Sequence, residues 1–106
     1  MTTPEAITQL SRLIGRREVQ EVLGPEPHAT PLRPDQLAAL RALVDRRLDQ
    51  LVRGLAEEAA ASDDVTSRAA AEAYLEERLA FFAGLLTAEQ AARVRAASRA
   101  YTGRWG

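Results

Sequence analysis

Leu37, Leu40, Val44, Leu48, Leu51, Val52 and Leu55 recur at spacings of three and four, a rhythm that fits an α-helix and no strand. A helix turns once every ~3.6 residues, so these side chains share one face, whereas a strand would scatter them over both. The opposite side carries Arg41, Asp45, Asp49, Arg53 and Glu57 at successive i+4 steps, which include favourable ion pairs. The spacing predicts one helix from Pro34 to about Ala61, on the order of 40 Å long at a rise of ~1.5 Å per residue. Gly54 weakens it by roughly 1 kcal/mol relative to alanine, and leaves room for a bend or a close crossing.

Three further helices are expected. Thr3-Pro4 is a cap followed by proline at the first helical position. Ile7, Leu10, Leu13 and Ile14 then make a narrow apolar stripe, continued weakly by Val22 and Leu23 as far as Gly24. Pro25, Pro27, Pro31 and Pro34 impose an extended connector. Residues 1–31 are accordingly expected to be a loosely attached helical arm with its Pro-rich connector, and residues 32–106 the helical core domain. Ser62-Asp63-Asp64 supplies caps for a third helix over about 65–85. It carries two stripes, Leu75, Leu79, Phe82 and Leu86 on one side and Tyr74, Phe81 and Leu85 about 100° away. One neighbour cannot cover so wide an arc. Tyr74, Phe81 and Leu85, with Leu43, are therefore expected to form a second contact surface, through which the protein would be a homodimer. In the fourth helix, after Thr87, Ala91, Val94, Ala97 and Tyr101 are expected to face inward. Thr102-Gly103 closes it. Trp105 in the tail is either a packing anchor or a hot spot offered to a partner. The fold class is all-α: a small antiparallel helical bundle or long helical hairpin of about four helices.

Composition narrows the functional classes. At 106 residues, 46% hydrophobic and 27% charged, the chain is one folded domain with a modest core. It has no cysteine, hence no disulfide and no thiolate nucleophile or metal ligand. His28, the only imidazole, stands among prolines on the connector and is expected to be inert. Glu57-Glu58 and Glu76-Glu77 are adjacent pairs that do not face one another on a helix, and no Glu-x-x-His is present. The expectation is no enzyme, no cofactor and no metal. All 14 basic residues are arginine, and the net charge is −1. Charge is uneven, with −3 over residues 62–86 and +3 over 87–106, so those helices can pair across their rims. Arg93, Arg95 and Arg99 invite a helix-turn-helix reading, but the preceding helix is acidic, and nucleic acid is the least favoured partner. No apolar run approaches the ~18 residues of a membrane span. Met1-Thr2-Thr3-Pro4 reads as a cytoplasmic start; the periplasm is the alternative if an export signal has been removed.

Two pentapeptides start helices in the same way. In Leu86-Thr87-Ala88-Glu89-Gln90, Thr87 is the cap, Gln90 completes a capping box, and Leu86 can staple onto the next turn. Leu32-Arg33-Pro34-Asp35-Gln36 echoes it, with Arg33 where the capping threonine belongs. Over residues 32–101 the chain resembles the Spy/CpxP family of small all-helical proteins with LTxxQ motifs, matched in full at Leu86, Thr87 and Gln90. The resemblance implies a cradle-shaped antiparallel homodimer acting as an ATP-independent chaperone or a stress sensor. The expected function is a non-enzymatic helical protein-binding module, chaperone-like or a stress-response regulator. The alternatives are a cytoplasmic assembly or adaptor subunit docking one protein partner, and a DNA-binding regulator.

Overall fold

A computed structural model describes residues 4–24 and 32–102, and every regular element among them is a helix. In chain order these are α1 (Pro4–Ile14), α2 (Arg16–Leu23), α3 (Pro34–Arg46), α4 (Leu48–Ala61), α5 (Arg68–Phe81) and α6 (Ala88–Thr102). The all-α class stands, but two of the expected helices are each broken in two. The first breaks at Gly15, whose φ of 115° lies in the left-handed region that glycine alone adopts without strain. The Val19 N–H donates to the Gly15 carbonyl, so α2 starts one residue after α1 stops. The second breaks at Arg47, not at Gly54.

Gly54 instead serves a close crossing. A Cβ built there would lie 2.7 Å from Cδ2 of Leu13, so α1 lies against α4 where no side chain intervenes. The N-terminal helices are therefore no loose arm. Leu10, Ile14 and Val19 belong to the same buried cluster as Leu40, Val44, Leu51, Phe82, Leu85 and Val94. Fully burying a side chain of this size contributes roughly 1.5–3 kcal/mol, and a narrow stripe suffices when each member is fully covered. α4 sits between α1 and α6, with α2 packed on α1 and α3, and α5 on α6.

The third expected helix is shorter than its pattern. It begins at Arg68 because Ser67 is the cap, its hydroxyl accepting from the Ala70 N–H at 3.1 Å. Val65 is buried with Ala59 and Ala71 as a small satellite of the core. α5 then stops at Phe81, and the turn that follows swings Phe82 and Leu85 inward, both wholly buried. The Leu85 and Leu86 N–H groups donate to the Phe82 carbonyl at 2.8 and 3.0 Å, closing that turn.

Both pentapeptides are helix starts. The Thr87 N–H donates to Gln90 Oε1 and the Gln90 N–H to Thr87 Oγ1, each at 3.0 Å, which is a complete capping box. At the first pentapeptide the Arg33 N–H donates to Gln36 Oε1 at 3.0 Å, and a guanidinium cannot return the favour. In both, the remaining amide of the glutamine reaches another helix: Gln36 Nε2 donates to the Leu23 carbonyl, and Gln90 Nε2 to the Arg41 carbonyl and Asp45 Oδ1. Leu32 and Leu86 are buried beside them.

Candidate protein-binding surface

The surplus apolar face expected from the sequence is only partly present. Leu43 is 3% exposed and Leu85 wholly buried, both inside this one chain. Leu43 is covered within the cluster that α1 and α2 share with α3 and α4, and Leu85 because the helix ends early and the turn brings it into the core. Neither belongs to an outer surface. Phe81 does, at 39% exposed, with its ring 5.5 Å from that of Phe82 and the Arg78 guanidinium 5.2 Å from its centroid. Tyr74 is half-buried, and its hydroxyl donates to Glu58 Oε2 at 3.2 Å. Trp105 and His28 lie outside the described residues.

What α4, α5 and α6 leave open is a shallow apolar slot. Leu55 and Ala59 of α4 form one wall, Ala71, Tyr74 and Leu75 of α5 another, and Tyr101 of α6 the end. Tyr101, expected inward, is 37% exposed. Ala97, likewise expected inward, is exposed as well, and Ser98 is buried in its place. The reason is register: from Val94, wholly buried, one turn reaches position 98 rather than 97 where α6 crosses α4. Alanines 59 and 71 make the slot, and the sequence signal for it is their small size opposite Tyr74.

Ion pairs tie these helices to one another. Arg95 forks onto Glu76, Nε donating to Oε2 at 2.7 Å and a terminal nitrogen to Oε1 at 3.0 Å. This is the cross-helix pairing expected from the −3 and +3 segments. The hydrogen bonds from Arg95 hold the Glu76 carboxyl below its ordinary range, against a smaller opposing effect of burial. Burial raises the Tyr74 phenol, and the Glu58 carboxylate adds to the rise. Arg78 stands 4.0 Å from the same Glu58 oxygen, and its Nε is buried without a hydrogen-bond partner. Arg93 pairs with Glu89 at 2.6 Å and lies 3.9 Å from Asp45. Asp45 thus serves Gln90 and Arg93 rather than only the solvent face of its own helix.

Among the described residues, no three or more His, Cys, Asp or Glu side chains are grouped to hold a metal ion, and no helix is long and apolar enough to cross a membrane. The slot offers apolar contact and two tyrosine side chains. No family model matches the chain, and neither a curated protein nor a solved structure matches it.

Proposed function

We propose that this protein is a non-enzymatic helical binding module that docks one specific protein partner, with the slot between α4, α5 and α6 as its receptor. The observation that carries this reading is where the large apolar side chains are left uncovered. Among the described residues these are Phe81, which does not line the slot, and Tyr101, which does, with Tyr74 half-buried beside alanine and leucine. Tyrosines at an apolar surface suit contact with a partner helix laid across them, since aromatic anchors dominate binding energy. A broad client-binding cradle would need Leu43 and Leu85 outside, so an adaptor role is favoured over a general chaperone. The chaperone-like or stress-regulator reading keeps the support of its LTxxQ-like pentapeptides and stands second. A DNA-binding role has less support, because Arg93 and Arg95 are already matched by Glu89, Asp45 and Glu76.

Affinity purification from the native host tests the proposal, with Tyr101→Arg at the slot and Gln20→Arg, at an exposed position of α2, as a control. One stoichiometric partner kept by Gln20→Arg and lost with Tyr101→Arg is the expected result. A scatter of unfolded clients indifferent to both substitutions would shift the reading to a chaperone. Recovery of the bare protein would remove the binding role.

A further inference from the structure

α5 is held unevenly along its length. Its last turn is anchored: Leu79 is buried, and Phe82, Leu85 and Leu86 just beyond it lie in the main cluster. The first turns have little to bury, because Ala69, Ala70, Ala71 and Ala73 make up most of the sequence between Arg68 and Tyr74. Over its whole length α5 buries Ala71 and Leu79, whereas α1, a shorter helix, buries six residues. Ala71 stands outside the main cluster; with Ala59 and Val65 it forms a separate one, on which Ala70 and Tyr74 pack. Hydrophobic stabilisation scales with the apolar area removed from water, and a methyl group removes little. Polar ties do not make up the difference. Glu76 and Arg95 are both half-exposed, so water and salt compete for their pairing. Main-chain bonds from Ser62 to the Ala59 carbonyl, Val65 to Ser62 and Ala71 to Ser67 are local and reach no other helix. Leu75 and Ser98 line both the slot and a second open groove between α5 and α6, so the two helices meet there along a thin seam.

We infer that residues 62–76 are a lid on the docking slot, which comes off α4 and α6 as a unit while Leu79 and the rest of the fold stay in place. A helical segment this short is marginal by itself, so lifting off and unwinding go together. Opening uncovers Leu55 and Ala59 of α4, and Tyr101 then stands at the end of a longer apolar strip where a partner helix can lie in place of the first turns of α5. That use rests on the docking reading, whereas the opening itself is a property of the free protein.

Amide hydrogen exchange of the full chain, followed across low urea concentrations, tests the lid. The amides of 71–76 are expected to exchange about tenfold or more faster than those of 51–58 in α4, and with little dependence on urea, since a local opening exposes little surface. Ile14→Val, in the main cluster, should speed exchange in α4 severalfold and leave 71–76 unchanged. One rate and one urea slope for both segments, or equal acceleration of both by Ile14→Val, would make α5 part of a single global unit and overturn the lid. Because the chain lacks cysteine, paired Glu72→Cys and Arg99→Cys substitutions, which line the same groove, can be bridged by a short bis-maleimide. The bridge is expected to slow 71–76 toward the α4 rate. Exchange that stays fast in the bridged protein is fraying in place, and it too overturns the inference. None of these readouts needs a partner, so the docking surface is judged separately by the capture experiment with Tyr101→Arg.

Discussion

The side-chain amide of Gln90 donates to the main-chain carbonyl of Arg41 at 2.8 Å, joining the first turn of α6 to the middle of α3 across 49 residues of sequence. Arg41 reciprocates, its Nε donating to the Leu85 carbonyl at 3.3 Å in the turn just before α6. Gln90 is only 4% exposed and also accepts from Thr87 and donates to Asp45. One side chain thus caps a helix and fixes where that helix sits.

Gln90→Ala removes both functions and leaves buried groups unpaired, so a loss of about 2–3 kcal/mol is expected in urea unfolding. Thr87→Ala removes only the cap acceptor and should cost about 1 kcal/mol. Equal losses for the two would mean that the tie to α3 contributes nothing. Gln90→Glu turns a carboxylate toward Asp45, so its deficit should shrink on acidification as one of the pair takes up a proton.

Arg33 occupies a cap with extended geometry, φ −65° and ψ 153°, yet offers its helix no acceptor. Arg33→Thr supplies one and completes the box with Gln36, at the loss of an exposed pairing with Asp35. A gain of about 0.5–1 kcal/mol is expected, because the cap outweighs a surface ion pair. An unchanged or lower urea midpoint would show that the first pentapeptide cannot use a capping hydroxyl.

Gly54→Ala sets helix propensity against packing. Propensity alone would stabilise α4 by roughly 1 kcal/mol. The added methyl meets Cδ2 of Leu13 at 2.7 Å, and overpacking of a buried contact typically costs about 1–3 kcal/mol. A net loss near 1 kcal/mol is expected, with part of the packing cost relieved when Leu13→Ala is added. A stabilised single variant would mean that Leu13 rotates aside freely.

The Glu76–Arg95 pair gives a signed pH dependence. Hydrogen bonding to Arg95 places the native Glu76 value below its ordinary 4.5, so the folded state binds fewer protons than the unfolded one. The contribution is present above about pH 4.5 and fades as pH falls through the native value. Both groups are half-exposed, so the effect is small and salt-sensitive. Wild type should exceed Glu76→Gln in unfolding midpoint near neutrality, and the two should converge in acid. A difference that persists at low pH would assign the stabilisation to something other than the ion pair.

The legible parts were those fixed by neighbours in the chain. The cap at Thr87 and Gln90 depends on residues three apart, and both of its hydrogen bonds are formed as that spacing requires. The core stripe of 34–61 is also local: Leu40, Val44, Leu51, Val52 and Leu55 are all buried. The binding surface was harder to read, because whether Leu43 or Leu85 faces out depends on which distant segment returns over it. Gly15 could have been read as a breaker beside Ile14 and Arg16, but glycine is tolerated inside helices often enough that its φ decides the matter.

By itself the sequence determined that the chain is helical and where α6 starts, since periodicity and capping act within a turn or two of backbone. Only the tertiary structure decided that the helix over 34–61 is interrupted at Arg47, that α1 and α2 join the common core, and that Leu43 and Leu85 lie inside while Phe81 and Tyr101 remain out. The physical reason is the range of the forces. Helix propensity differs by tenths of a kcal/mol per residue, whereas each large side chain carried into the core by a distant segment contributes about 1.5–3 kcal/mol, enough to decide where a helix stops and which of its faces is covered.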